Sequence, residues 1–459
     1  MNTQHTFHVI KDPVHGTMQF TSVEDKWIKP FIDSPHFQRL RHIKQLGMGD
    51  FIFPGAVHTR FNHCLGCSYV ASQIAHKIGL AEEERQLVTI ACLLHDIGHG
   101  PFSHTFEEIF QNNLIRHEAW TPFFLADYHT LEFFSAYNQC NPRHHLTTEK
   151  FRLIEEMIMH TSSAKLVLAD IVSSQLDADR LDYLLRDSHF CGVTYGEFDF
   201  RWMLNCMAIV NQANHERLGI THKGIGVVEH YLMARRLMTR NIYHHQKKIA
   251  LESFLIKLLM SLAETLEEVS AFADIKNTRL GRFLMQANAF NHQVRGKKNP
   301  EKYKNDFLVQ NYPIYKELSD YDIFAVIKQL TEIKSDHPAV QIAERIHHRH
   351  MPKIIPLEHI EVDQASSLLT EFKKKHSHLF QDWQLNIIKI PHQSYSMEED
   401  PILVQNEQGA IKPLNEMSLM IKAISDKREN IDFLCVDKTI FDQPKVTQFI
   451  KELSHVEWA

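Results

Sequence analysis

A mainly α-helical fold, with short β segments at the N-terminal end and a small α/β lobe at the C-terminal end, is what this sequence predicts. Three observations support it. From residue 36 to about 290, apolar residues recur at spacings of three and four, with few Gly or Pro inside the runs. The first 35 residues are instead punctuated by Pro13, Gly16, Pro30 and Pro35, the pattern of short strands and turns. Beyond Pro356 the helical period gives way to short β-like pieces bounded by turn residues.

In chain order, helical periodicity covers Tyr69 to Ile78, Ala81 to Leu94, Lys150 to His160, Ala164 to Arg186, Val228 to Tyr243 and Leu251 to Phe272. Leu87 to Leu94 is the longest apolar stretch, of a length suited to a buried helix. The polar text of Asn291 to Asn305 reads as a linker or mobile loop, which separates residues 1–290 from residues 306–459. Residues 306 to 350 return to helix. After them, Leu385 to Ile390 and Phe433 to Val436 read as strands, and a last helix follows Pro444.

The composition is that of an ordinary globular chain of 459 residues, with 44% hydrophobic and 23% charged residues, which excludes disorder and a collagen-like fibre. A formal charge of −6 lacks the basic excess of a protein whose whole surface binds nucleic acid. The 7 cysteines follow no repeating spacing, so a disulfide framework is not expected. No leader pattern and no long apolar run is present, and a cytoplasmic location without membrane contact is expected. Histidine is the abundant reactive type, at 32 residues, and directs the search for chemistry.

His95-Asp96 closes the apolar run in ACLLHDIGHGPFSH. Adjacent helical side chains diverge by about 100°, so such a pair can approach one cation from two directions with a nitrogen and a hard oxygen. An HD dipeptide alone usually means nothing. In HTRFNHC, Arg60 and His63 share a helix face, which suits a phosphate held between a guanidinium and a cation. In DADRLDYLLRD, Asp179, Tyr183 and Asp187 fall at i, i+4 and i+8, so Asp179 is the carboxylate expected to face a metal while Asp177 points elsewhere. A solvated helix laced with Asp–Arg pairs is the alternative reading of that segment alone.

Taken together, DPVHG at 12–16, RLRHIKQLGMGDFIFPGAVHTRFNHCLG at 39–66, LLHDIGHGPFSH at 93–104, His117-Glu118, SSQLDADRLDYLLRDS at 173–188 and ARRLMTRNIYHH at 234–245 resemble the HD-domain phosphohydrolases of the SAM and HD domain-containing deoxynucleoside triphosphate triphosphohydrolase family. The blocks occur in the family's order. They cover about the first 270 residues firmly and fade to about 355. The match begins near residue 8, so a bacterial-type relative without the SAM domain is expected, with residues 1–290 as the HD catalytic core and its arm.

The resemblance implies His63, His95, Asp96 and Asp179 as ligands of a divalent metal ion, with Fe, Mn, Zn, Co and Mg all compatible with nitrogen and oxygen donors. It implies Arg60 and His104 at the α-phosphate, and His99 and His117 beside the scissile bond. Gln45 and Leu46 would sense the sugar edge and exclude a 2′-hydroxyl. Arg180, Tyr183, Asp187, Arg235 and Tyr243 would line the pocket for triphosphate and sugar. The implied reaction is attack of a water, acidified by the cation, on the α-phosphorus of a deoxynucleoside triphosphate, giving a deoxynucleoside and triphosphate.

Asp33, Gln38, Arg41, Arg349 and Lys353 match the family's regulatory nucleotide positions. They imply a GTP or dGTP activator and a homo-oligomer, dimer or tetramer. The chain departs from the family at Glu107, where a shorter aspartate is usual, at Met48 in place of glycine, at His8 and Lys11 in the arm, and at Asn241 in place of arginine. An HD phosphohydrolase acting on another nucleotide, or a nucleotide- or nucleic-acid-sensing protein, are the competing functions. Cys64-x-x-Cys67 has no second CxxC partner and reads as two core thiols. Of the pairs His144-His145, His244-His245 and His347-His348, only His245 gains support from the resemblance.

Overall fold

The computed structural model describes residues 9–21, 25–161, 165–357, 359–393, 401–424 and 428–454. His8, and the start of the predicted helix at Ala164, lie outside these residues. The protein is mainly helical with small sheets, as the sequence predicts.

At its centre is the helix Arg60–Lys77, buried on nearly every side through Phe61, His63, Cys64, Leu65, Cys67, Val70, Ala71 and Ile74. It starts where Asn62 Oδ1 accepts from the Thr59 amide (3.1 Å) and hydroxyl (3.0 Å), a local N-terminal cap. Helix Glu82–Leu94 packs against it with all of Gln86 to Leu94 buried. Helix Ala178–Cys191 packs on the same central helix, capped at its start by Asp177, which accepts from Arg180 N (2.7 Å). At Gly66 a Cβ would stand 1.8 Å from Asp182 Oδ1, so only glycine admits this close approach.

The predicted helix 164–186 is two helices, Leu166–Val172 and Ala178–Cys191. Asp177 Oδ2 accepts from Ser174 N at 2.9 Å, and Ser174 Oγ from Leu176 N at 3.2 Å. These short polar side chains compete for backbone groups and stop one helix where the next begins. A second departure is the hairpin Met207–Gln212 with His215–Thr221, in a region expected to be helical. Ala213 and Asn214, at φ of 49° and 67°, make its two-residue turn. The second strand also pairs with Leu403–Gln405, giving a four-stranded sheet closed by Ile411–Pro413.

The expected linker 291–305 is helical at both ends: Arg279–Val294 and Glu301–Tyr315 leave a connection of residues 295–300. Phe290 and Phe307 pack across it with ring centroids 4.7 Å apart, and Tyr315 stacks on Trp120 at 4.0 Å, so the apolar core continues through both sides. The N-terminal strands Val9–Asp12 and Gly16–Gln19 form a hairpin. The C-terminal lobe is a three-stranded antiparallel sheet with Arg428–Val436 between Lys353–Pro356 and Leu385–Gln393. Helices Val362–His376 and Pro444–Ser454 cover it around a separate core that includes Leu369, Leu434, Val436 and Phe449. Among the described residues, no helix is long and apolar enough to cross a membrane.

Candidate metal and phosphate site

His63 sits one turn into the central helix, His95 and Asp96 at the end of the all-buried helix, and Asp179 in the first turn of Ala178–Cys191. Packing of these three helices brings the four side chains together. Asp179 Oδ1 lies 2.9 Å from His63 Nε2 and 3.6 Å from His95 Nε2, while Asp96 lies 3.8 Å from His63 Nε2 and 3.4 Å from His95 Nε2. Donors about 2.1 Å from one ion stand about 3.0–3.4 Å apart in octahedral or tetrahedral arrangements; His63, His95 and Asp179 are close enough together to hold a divalent cation, and Asp96 borders them with Oδ2 toward His63 and Oδ1 toward His95. His95 Nε2 is buried and makes no hydrogen bond among the described residues. Its Nδ1 is bonded to Cys92 O at 2.8 Å, which places the ring hydrogen there and leaves the Nε2 lone pair facing the cluster.

The charge balance suits a cation as well. Burial opposes protonation of His63, but hydrogen bonds to Asp179 and Asp182 outweigh it and hold the ring's pKa up at about 10. Burial likewise opposes ionisation of Asp96, and Arg60, His95 and His99 overcome it and hold the carboxyl well below the usual range. Cys67 Sγ is 3.4 Å from both His63 ring nitrogens, a position over the ring face and off the in-plane lone pairs. Burial pushes its thiol, and that of Cys64, far up, so both remain neutral core groups.

A layer of charges behind the cluster fixes its geometry. His63 Nδ1 is 2.9 Å from Asp182 Oδ2. Asp182 accepts in turn from Arg186 Nε (2.9 Å) and is bonded to His15 Nε2 (2.6 Å), and Arg186 reaches Asp12 at 2.9 Å. The DPVHG segment thus buttresses His63 through Asp182. Sequence reasoning passed over Asp182, whose only signal was its i, i+4 spacing to Arg186.

On the other side of Asp96, Arg60 makes a direct ion pair with it and donates from Nε to Ser103 Oγ at 3.0 Å. His99 Nε2 is 3.3 Å from Asp96 Oδ1, and its ring stacks on His117 at 3.7 Å. Gly98 permits that stack, since a Cβ there would stand 2.4 Å from Thr121 Oγ1 and 2.5 Å from His117 O. Burial, with Arg60 and His117 nearby, pushes the His99 pKa well down, so its ring is neutral. His117 Nδ1 bonds Glu107 Oε1 at 2.8 Å, and Glu107 Oε2 is 3.2 Å from His104 Nδ1. Burial opposes ionisation of Glu107, but the two histidines hold its carboxyl far below the usual range. His104 is 71% exposed and stands at the mouth of this arrangement.

The pocket residues form a second group along the Ala178–Cys191 helix. Tyr183 meets Tyr243 edge-on at 5.8 Å, and Tyr243 OH donates to Asp187 Oδ2 at 2.9 Å. Asp187 also bonds His58 Nε2 at 2.7 Å and is 1% exposed, so it anchors the Tyr243 hydroxyl from within the core and is not itself open to a ligand. Tyr243 ends a π-helical turn, Thr239–Tyr243, after the helix carrying Arg235. Arg235 donates to Gln175 Oε1 (2.8 Å), and Arg180 to Asp177 Oδ2 (3.1 Å). Gln45 donates its backbone N–H to His58 O (3.0 Å), and its buried side-chain Oε1 accepts no hydrogen bond among the described residues; Leu46 is buried beside it.

Among the described residues, no hydrogen bond or ion pair joins Asp33, Gln38 and Arg41 to Arg349 and Lys353, the five residues expected to hold a regulatory nucleotide. Arg41 donates to Gln38 Oε1 at 2.7 Å and lies over Phe61, while Asp33 pairs with Lys29. Arg349, at φ 53°, donates to Phe51 O at 2.8 Å, and Lys353 lies over Phe441 at 5.2 Å.

Residues 60–187, which hold the cluster, match the family model of the HD domain. The chain therefore carries an HD domain over these residues, and among the described residues its His, Asp and Cys side chains form groups that could hold a metal ion. The uncharacterized protein YwfO of Bacillus subtilis is 37% identical over 257 residues, 55% of this chain and 55% of YwfO. Human deoxynucleoside triphosphate triphosphohydrolase SAMHD1 is 32% identical over 270 residues, 52% of this chain and 42% of SAMHD1. The chain spans about half the length of these curated relatives. A crystal structure of a phosphohydrolase from Bacteroides thetaiotaomicron superposes with a TM-score of 0.73 at 27% identity, over 94% of this chain and 100% of that one.

Proposed function

We propose that the protein is a metal-dependent deoxynucleoside triphosphate triphosphohydrolase. The observation that carries this reading is the adjacency of two assemblies that share Asp96: the donor set His63, His95, Asp96 and Asp179, and the phosphate-side set Arg60, His99, His117 and Glu107. A divalent ion held by the first set supplies Lewis-acid polarisation of a phosphoryl oxygen and a more acidic water. Arg60, already turned toward Asp96, takes a share of the negative charge that develops on the α-phosphate. His117 keeps its Nδ1 on the ionised Glu107, so its Nε2 is free to carry a proton to the departing 5′-oxygen. Neutral His99, stacked on His117, orients that ring. His104 reaches the same phosphate from the rim.

Beyond the phosphates, Tyr183 and Tyr243, set edge to face, offer an aromatic surface to a deoxyribose, and Gln45 and Leu46 close its edge. Arg180 and Arg235 then face the remaining phosphates. The likeness to SAMHD1 supports the same substrate class, and it also supports a GTP or dGTP activator bound between subunits of a homo-oligomer through Asp33, Gln38, Arg41, Arg349 and Lys353. Separation of these residues into two groups in one protomer agrees with a site completed by a second copy. We place the enzyme in the cytoplasm.

The test is incubation of metal-loaded protein with each dNTP and NTP, with and without GTP, followed by chromatography of the products. The expected result is a deoxynucleoside with intact triphosphate, faster with GTP. Release of monophosphate, pyrophosphate or single phosphate would replace this reading with another nucleotide phosphohydrolase.

A further inference from the structure

Outside the HD domain, one buried carboxylate has no part in the chemistry so far described. Asp320 opens the helix Asp320–Thr331 and is 2% exposed. An acid in a first helical turn ordinarily serves the helix end. Here that task falls to Ser319 and Asp322, with Ser319 N donating to Asp322 Oδ2 at 2.8 Å. Asp320 is free to turn inward, where its two oxygens accept from two distant backbone amides. Oδ1 takes Phe102 N at 2.7 Å and Oδ2 takes Lys44 N at 2.8 Å.

Those amides belong to the two loops that border the site. Phe102 precedes Ser103, the partner of Arg60 Nε, and lies between His99 and His104. Lys44 precedes Gln45 and Leu46. The first loop is strained, since Phe102 and Ser103 both adopt left-handed backbone at φ of 50° and 52°. Such backbone persists only where surrounding structure holds it. The same short stretch of chain supplies further holds. Tyr315 OH donates to Gly98 O at 2.8 Å, and Arg39, anchored to Leu318 O at 3.0 Å, donates to His99 O at 2.8 Å.

We propose that Asp320 is a positioning residue that sets the phosphate-side loop 98–104 and the sugar-side loop 43–47 in register with each other, and that residues 315–320 act as a strut for the HD domain. The two hydrogen bonds of one carboxylate leave neither loop free to shift without the other. Burial pushes the Asp320 carboxyl up to about 6, the expected cost of keeping a charge there for its two amide donors. The kinetic part of this inference rests on the proposed triphosphohydrolase reading; the structural part does not.

Asp320→Asn tests both. An amide of the same size presents one oxygen and one donor, so one backbone N–H loses its acceptor and faces an N–H2 group. Hydrogen exchange read by mass spectrometry on the metal-loaded full chain is expected to accelerate about tenfold or more in both 43–47 and 98–104, with the central helix 60–77 unchanged. Metal content stays at the wild-type level. dNTP turnover falls about tenfold or more, as misplacement of positioned groups produces.

Asp437→Asn is the control, a buried carboxylate in the C-terminal lobe paired with Arg345. It lowers the thermal midpoint and changes neither readout. Tyr315→Phe, which removes one hydroxyl, should loosen 98–104 alone and decides the strut if Asp320→Asn does not fold. Wild-type exchange in both loops of Asp320→Asn, or an activity loss matched by Asp437→Asn, overturns the inference. If wild-type protein hydrolyses no dNTP, the function fails while the exchange result still decides the strut.

Discussion

The helical body around the site and the C-terminal lobe are built on opposite terms. Behind His63 the body buries Asp12, Asp182 and Arg186, and beside the pocket it buries His58 and Asp187. Each is matched by an opposite charge or a hydrogen bond. The lobe buries Ile355, Leu369, Leu434, Val436, Val446 and Phe449, with Phe372 stacked on Phe449 at 4.2 Å, and among its described residues the buried charge is confined to Asp437 at the join with Arg345. Apolar packing holds a shape at little cost in desolvation, whereas a buried ion network recovers its desolvation only when every member is satisfied. The difference teaches where geometry matters more than stability. A network that is costly to bury is found where it sets the direction of a ring nitrogen, and is absent from the lobe, which has no such ring to aim.

The largest expected effect follows from breaking the network. Asp182→Asn removes the carboxylate shared by His63, His15 and Arg186, and should cost about 3–5 kcal/mol of stability because three buried groups lose their common partner and Arg186 keeps Asp12 alone. Loss of the group that orients His63 should also weaken metal binding about 10–100-fold. Calorimetric metal titration alongside thermal unfolding checks both together. A smaller and purely mechanical effect is expected in the lobe. Leu434, fully buried on the central strand, should cost about 2–5 kcal/mol when replaced by Ala, through lost transfer energy and the cavity left behind. Urea unfolding measures that loss, and metal stoichiometry should be unchanged. Equal effects of both substitutions on metal affinity would erase the contrast between the two regions.

Local pattern carried much of this architecture. The unbroken apolar run before His95 was readable as a buried helix, and Asp179, Tyr183 and Asp187 as one stripe, because helical spacing sets which side chains share a face. The choice of Asp179 over Asp177 had the same basis, and Asp177 turns out to cap the helix while Asp179 meets His63 and His95. The strands at Leu385 and Phe433 and the helix after Pro444 were equally local readings.

What escaped was either a competition between local bonds or a long-range contact. Ser174 and Asp177 divide a continuous amphipathic pattern by capping, which periodicity does not register. The turn at Ala213-Asn214 lacks the glycine that marks most hairpins of its kind. The lysine-rich text at 291–305 is mostly helix because Val294 within it, and Phe307 and Leu308 just beyond it on the second helix, face a core supplied by other segments. Asp182, His15 and Asp320 act on partners far away in sequence, which neither the i, i+4 spacing of Asp182 to Arg186 nor the DPVHG text around His15 reveals.

The central claim is that His63, His95, Asp96 and Asp179 hold one divalent ion, and metal content tests it most directly. Wild-type protein, Asp179→Ala and Asp177→Ala would each be loaded with Mn2+ or Fe2+, freed of excess ion and analysed by plasma mass spectrometry. The account predicts one ion per chain in wild type and in Asp177→Ala, and none in Asp179→Ala, which loses an arm of the site. Full metal content in Asp179→Ala, or loss of the ion in Asp177→Ala, would contradict it.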